Sequence, residues 1–381
     1  MDLVFTEEQE LLQQTAREFV AARSSLKRIR ALRDADPVGF SRELWAEMGR
    51  LGWTGIVLPV EHGGAGLGYL DLLVVMHELG RGLMPEPMLS TVLLGANAIL
   101  LGGSPAQQAA ELPAVAAGER FLALAAQEPR SRFALHHVET RAAAASRGWT
   151  LSGEKAHVLD GHVAHTLVVS ARTAGAARDP EGVTLFLVPA DAPGVTVTRQ
   201  TRLDGRGAAL VRLEDVRVGP DAVLGEPGRG AALLERVVDR ATVALAADML
   251  GAMAAAFDMT LAYLKTRVQF GRPIGTFQAL QHRAARCFVE LELTQSAAMG
   301  AARALDEGRA DVAVARAVSI AKARASDAFL LVANEAVQMH GGIGMTDEHD
   351  IGFFLKRARA AEMTFGDAGW HRDRVARIDG Y

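Results

Sequence analysis

Through about residue 118, apolar positions recur at the spacing of helix faces. Thr6, with Glu7 and Glu8 behind it, reads as an N-cap, and Leu11, Leu12, Thr15 and Phe19 then fall at helical intervals. The stretch WTGIVLPVEHGGAGLGY (53–69) interrupts the helices as a glycine-rich loop. From Phe121 the period shortens. FLALAAQ, HVETRAAAA, WTLSG, KAHVLDG, HTLVVSAR, GVTLFLVPA, GVTVTRQT and AALVRLEDVRV are short β-type runs parted by Gly, Asp or Pro, and they close near Leu224. Such spacing predicts a small antiparallel barrel or sandwich. From about Gly230 the helical period returns. Leu234, Val238, Ala241, Leu245, Met249, Ala252 and Ala256 step by threes and fours as one buried stripe. Further helices are expected over roughly 277–307, 311–340 and 350–376, and their alanine content with short links predicts a bundle. The expected fold class is therefore α+β in three parts. They are an N-terminal α-helical domain (1–118), a middle antiparallel β-domain (119–226) and a C-terminal four-helix bundle (227–381).

Composition narrows the function. The 381 residues are 49% hydrophobic and 23% charged, with a net charge of −4 and no basic stripe, so nucleic acid is not an expected partner. Cys287 is the one cysteine, which excludes an internal disulfide and a cysteine-based metal site; no metal site is expected. The acidic opening MDLVFTEEQELL does not read as a signal peptide. The longest mostly apolar run, LSTVLLGANAILL (89–101), is about a third short of a membrane span. Membrane insertion is not expected, and a cytoplasmic location is.

The informative stretch is RVQFGRPIGTFQ (267–278), a polar joint between two apolar helices. With QMHGGIGMTDE (338–348), LPVEHGGAGLG (58–68) and the order of the three blocks, it resembles the acyl-CoA dehydrogenase family over essentially the whole chain. ARTAG, FLVPA, HGGIGMTDE and FGDAGWHRDR are similar, more narrowly, to the small subunits of bacterial heterotetrameric members of the pimeloyl-CoA and steroid side-chain type. The resemblance implies FAD, an acyl-CoA substrate and α,β-desaturation, in which a carboxylate removes the α-proton as hydride leaves the β-carbon for flavin N5. It also implies that Arg267, Gln269, Phe270, Gln278, Gln338, Gly341 and Gly342 contact the ADP part of an FAD held by a neighbouring subunit. The residue types suit that task. A pyrophosphate takes a guanidinium and free N–H groups, and glycine lets the backbone come close. Each also has a plainer reading: Arg267 as a helix C-cap, Phe270 as core, Gly341–Gly342 as a helix stop.

Set against the same family, the half that would hold the subunit's own flavin is degraded. The family's Thr-Glu-Pro-Gly-x-Gly-Ser run is here QEPRSRF (127–133), and its Trp-Ile-Thr segment is His157-Val158-Leu159. The two positions where the family carries its catalytic glutamate hold Phe365 and Ala241. Asp248 and Asp367 are the nearby acids that could substitute, although Asp248 also reads as a helix-packing carboxylate and Asp367 as an N-cap before Ala368-Gly369-Trp370. Asp is a methylene shorter than Glu, and a base must come within about 3 Å of the α-carbon. His371 reads as a surface residue, and Ala241, Ala244 and Ala247 as the floor of a roomy acyl pocket.

Three functions fit this lopsided pattern. The first is the FAD-completing subunit of an α2β2 acyl-CoA dehydrogenase whose related large partner carries the base. The second is a self-sufficient homo-oligomer using an Asp base. The third is a catalytically silent member that binds a CoA thioester or a partner protein. The acyl group and the electron acceptor are not specified by the sequence.

Overall fold

The computed structural model describes residues 4–381. Helices α1 (Glu7–Arg23), α2 (Leu26–Ala35), α3 (Arg42–Arg50) and α4 (Tyr69–Arg81) lead into a π-helix, Met88–Ala96, continued by α5 (Asn97–Gly102) and α6 (Pro105–Ala116). Strands β1 (Leu122–Ala125), β2 (Arg141–Ala145), β3 (Gly148–Leu159), β4 (Thr166–Arg172), β5 (Val183–Pro189), β6 (Val195–Thr201), β7 (Gly207–Val218) and β8 (Val223–Leu224) follow. The chain then forms α7 (Gly230–Thr266), a hairpin of β9 (Val268–Gln269) and β10 (Arg272–Pro273), α8 (Gln278–Asp306), α9 (Asp311–His340), α10 (Ile351–Met363) and α11 (Ala368–Ile378). These elements gather into two compact units. One contains the chain up to Asp34, Gly68–Met84 and Thr242–Tyr381; the other contains Ala35–Leu67 and Pro85–Ala241.

In the first unit α1 begins with the expected cap. The Thr6 hydroxyl accepts the Gln9 N–H and the Gln9 side chain accepts the Thr6 N–H, so two otherwise orphaned donors are satisfied. Its buried face is Ala16, Phe19 and Val20, whereas Leu11 is 65% exposed and Thr15 faces water. The expected stripe thus begins a turn too early. Helices α4 and α7 cross with almost nothing between their backbones. A Cβ on Gly80 would lie 2.2 Å from the Asp248 carbonyl oxygen, and one on Gly251 would lie 1.8 Å from that of His77. Only glycine allows this approach. Around the crossing α7 has no solvent face: Val243, Ala244, Leu245, Ala246, Ala247, Met249, Leu250, Ala252 and Met253 are all buried. A single stripe was therefore too narrow an expectation.

Helix α7 is also long and apolar enough to cross a membrane by composition, which the run at 89–101 does not reveal. Because 78% of its most apolar window is buried within the protein, it reads as a core helix. The helix expected over 350–376 is two helices. They part at Thr364–Asp367, where Phe365 and Gly366 have φ of 62° and 120°, conformations no helix can contain.

In the second unit the sheet runs β6-β7-β3-β2-β4-β5-β8, with β1 against β4. Most pairings are antiparallel, but β1–β4 and β2–β4 are parallel, so the sheet is mixed and not wholly antiparallel. Strand β4 is buried along its whole length, its apolar Leu167, Val168, Val169 and Ala171 together with Thr166, Ser170 and Arg172, and the last two find hydrogen-bond partners inside. Strand β7 alternates about Val211 and Leu213 inward and Arg212 and Glu214 outward. Their core includes Phe186, Val169, Leu167 and Val216. The π-helix is buried at all nine positions, and its Thr91 hydroxyl bonds both the N–H and the carbonyl of Leu122 on β1.

Candidate functional site

The joint at 267–278 is a hairpin. Gln269 pairs with Arg272 and Val268 with Pro273, across a two-residue turn of Phe270 and Gly271 with φ of 51° and 77°. Positive φ at both turn positions matches the twist of a tight hairpin. A non-glycine residue is uncommon there, and Phe270 is moreover 90% exposed, touching its own chain edge-on at Phe277. Phe277 carries the Arg272 guanidinium 4.3 Å above its ring, and Gln278 opens α8. The Arg267 backbone closes α7 by donating to Tyr263 O and accepts the Ile274 N–H, while its exposed guanidinium makes no ion pair or hydrogen bond among the described residues. Gln269 and Gln338 are likewise exposed and make no side-chain hydrogen bond among those residues.

Gly341 and Gly342 follow directly on α9. Gly341, with φ 65°, donates its N–H to Gln338 O and ends the helix. At both glycines an added Cβ would meet nothing within 4 Å. Gly341 has a backbone reason to be glycine; Gly342, with no positive φ and open space around it, has none in its own chain. The neighbouring Ile343 and Met345 are 47% and 79% exposed. Hairpin and turn are brought together by Tyr263, near the end of α7, which stacks on His340, the last residue of α9, with centroids 4.6 Å apart. That one ring contact links the base of the hairpin to the glycine turn, and the exposed Arg267, Gln269 and Gln338 with the open Gly341–Gly342 turn are a set of unengaged donors. The set fits a pyrophosphate.

The candidate acids are engaged elsewhere. Asp248 is 1% exposed, and its Oδ2 lies 3.4 Å from Arg357, itself 3% exposed and also donating to Leu83 O. Asp367 caps α11, accepting the Trp370 N–H at 2.8 Å. Phe365, in a glutamate position, is half-buried, and Ala241 is fully buried. So are Ala244 and Ala247, on the stretch of α7 that has no solvent face.

Beneath the loop between α10 and α11 lies a group that the sequence reading passed over. Lys322 is fully buried and donates to Ser326 Oγ, Glu362 O and Gly366 O, so one ammonium fixes the end of α10 and the loop. Burial lowers it to about 7. His371, expected at the surface, is 1% exposed. Neither ring nitrogen reaches a full hydrogen bond, and the weak approach of the Phe365 backbone does not offset burial, which drives the imidazole down to about 3. A lysine mid-helix and a histidine among arginines carry no signal of burial in their spacing. The cysteine is inert: burial pushes the Cys287 thiol up to about 11.

The loop after β1 in the second unit, expected from the resemblance to face a flavin, is held by an ionic knot. Buried Glu128 receives the Lys155 ammonium at 2.6 Å and the N–H groups of Glu139 and Thr140, and Lys155 also donates to Ser170. Burial lowers Lys155 to about 8 against that attraction. The knot keeps the loop's shape, yet its surface is changed. Arg132, at φ 47°, lies over the Phe133 ring, and His157, at φ 51°, occupies a bulge where β3 slips against β7. No hydroxyl stands at Gln127, Phe133 or Leu159, so these residues do not fit a flavin ring as donors. An open cavity of about 510 Å³ in the same unit, lined by Glu111, Arg120, His162, His165 and Thr166 among others, gathers none of the candidate residues.

Three domain models of one family match the chain. They are the N-terminal domain of acyl-CoA dehydrogenase at residues 6–119, the middle domain at 123–216 and the C-terminal domain at 228–378. A mitochondrial isovaleryl-CoA dehydrogenase of Oryza sativa subsp. japonica is 33% identical over 88% of the chain and 82% of the relative. Among solved structures, a variant of the steroid enzyme Tcur3481-Tcur3483 is similar with a TM-score of 0.87 and 33% identity over 98% of both chains. A chain of the ChsE4-ChsE5 complex from Mycobacterium tuberculosis is similar with a TM-score of 0.89 and 28% identity over 99% of this chain and 98% of that one.

Proposed function

The chain belongs to the acyl-CoA dehydrogenase family, the FAD-dependent oxidoreductases of acyl-CoA thioesters, and from that premise we propose that it is the FAD-completing subunit of an α2β2 enzyme. The carrying observation is Gly342. Its own chain gives no reason for glycine there, and its open turn follows His340, whose ring stacks on Tyr263 at the base of the hairpin that carries the unengaged Arg267. A surface so built is suited to close over the diphosphate of a cofactor that another subunit holds. When bound, FAD supplies the hydride acceptor. Arg267 would neutralise its pyrophosphate, the N–H groups of the Gly341–Gly342 turn would bond it, and Gln338, Gln269, Gln278 and Phe270 would hold the rest of the ADP part.

Proton abstraction is assigned to the partner. Both glutamate positions are apolar, Asp248 is committed to Arg357 and Asp367 to a helix cap. The changed flavin-face loop points the same way. The steroid enzyme and the ChsE4-ChsE5 complex each pair two differently named chains, which supports a related large subunit as the partner. Exposed Phe288, Val289 and Leu293 on α8 offer apolar area suited to assembly. The expected location is the cytoplasm.

Purified alone, the chain should be colourless and should desaturate no acyl-CoA; co-expressed with a related large subunit, it should be yellow and active. Arg267→Ala should fold and assemble yet lose FAD on gel filtration. Full flavin in the chain alone indicates the homo-oligomer, and none in either preparation indicates the silent binder. Stoichiometric FAD in the Arg267→Ala complex refutes the assigned contact.

A further inference from the structure

A feature beneath this surface deepens the reading just given and rests on it. His340 is 2% exposed and lies between two rings: Tyr263 at 4.6 Å and 27°, and His349 at 4.6 Å and 54°. Tyr263 belongs to the turn of α7 whose carbonyl receives the Arg267 N–H, and Gly341 is the next residue after His340. His349 in turn accepts the Ile351 N–H at the start of α10. One three-ring stack thus joins the base of the hairpin, the end of α9, the glycine turn and α10.

From this placement we infer that His340 is a positioning residue, which registers the Arg267 hairpin against the Gly341–Gly342 turn so that both reach one diphosphate. The ring's hydrogen bonding decides its state. Nδ1 lies 2.7 Å from the Ala336 carbonyl, so it carries the proton, and Nε2 is left a buried acceptor without a partner among the described residues. A second proton would place a cation in the stack with no acceptor to meet it. The titratable groups facing the ring are Tyr263 from α7 and His349 from the segment before α10; its own helix offers only the Ala336 carbonyl, and no carboxylate among the described residues acts on it. Burial accordingly holds the imidazole below its usual range. The stack is a neutral spacer above that range, and acid forces it apart.

The test uses the flavin-loaded complex and reads FAD release by fluorescence from about pH 8 to about pH 5. His340→Ala should weaken FAD retention about tenfold at neutral pH while the circular dichroism melt stays cooperative. His340→Phe keeps a ring in the stack without a titratable nitrogen. It should hold FAD as the parent does at neutral pH and lose the parent's extra release in acid. Parental retention by the Ala variant, or parental acid release by the Phe variant, overturns the assignment. Arg267→Ala in the same assay separates the two readings. If that variant sheds FAD and His340→Ala does not, only the positioning role fails; if it retains FAD, the diphosphate contact fails first.

Discussion

Asp248→Asn separates a packing carboxylate from a catalytic one. In the parent the Asp248 carboxylate and the Arg357 guanidinium stand 3.4 Å apart, 1% and 3% exposed, and the crossing of α4 fixes the Asp248 backbone against Gly80. Replacing the acid by its amide leaves a buried guanidinium facing a dipole, with the Leu83 carbonyl still accepting one N–H. Removing one partner of such a pair costs about 3–5 kcal/mol; the retained amide oxygen and Leu83 place this case near the lower end, about 3 kcal/mol. Urea unfolding of the complex should show a lower midpoint at unchanged slope. Turnover under native conditions should change several-fold at most, because the base is the partner's. Arg357→Met in the same background should recover part of the loss, since no unpaired charge remains. A complex of parental stability that keeps its FAD and loses all turnover would show that Asp248 is the base and would refute this assignment. Asp367→Asn is the companion control: Asn also caps helices well, so both readouts should stay near parental.

Other outcomes follow from single contacts. For His371 the folded value, about 3, lies below the ordinary 6.5, so its contribution is complete above 6.5 and falls as the pH drops toward 3. Between neutral pH and about pH 5 the parent should lose about 2 kcal/mol that His371→Phe does not lose, read as the difference between urea midpoints at the two pH values. Gly251→Ala puts a methyl 1.8 Å from the His77 carbonyl oxygen and should cost about 3 kcal/mol or more, seen in soluble yield and melting temperature. Gly342→Ala meets nothing within 4 Å and should melt as the parent does, whereas Gly342→Leu should melt normally and lose FAD, and Gln338→Ala should weaken FAD less. Parental flavin content in Gly342→Leu would leave the glycine turn as a helix stop.

Much of the layout was legible because period and punctuation carry it. The change at Phe121 marks the sheet within a residue of β1, and the helix over 311–340 matches α9. What stayed hidden depends on partners distant in sequence. Nothing local in RVQFGRP marks a tight hairpin, since Phe stands where Asn or Asp would signal one. The parallel pairing of β1 with β4 needs contacts across the chain, and so does the burial of Lys322 and His371. Leu11 misled because hydrophobicity was counted without knowing that the α4 side of α1 lies along Ala16, Phe19 and Val20. The candidate ADP contacts came from motif resemblance alone, and the open space about Gly342 carries no signal in the sequence.

The bare crossing of α4 and α7 also limits how this chain can be recombined with its relatives. A graft that exchanges the C-terminal helices at residue 227 sets the incoming α7 against a resident α4, across a gap that admits no Cβ at either Gly80 or Gly251. Two parents whose helices are displaced by even a fraction of an ångström there cannot share the junction. Residues 68–84 and 242–381 form part of one compact unit and must descend together, although the whole β-sheet lies between them in the sequence. The stretch between them is the natural cassette for exchange, and crossovers in viable hybrids should cluster at its two ends.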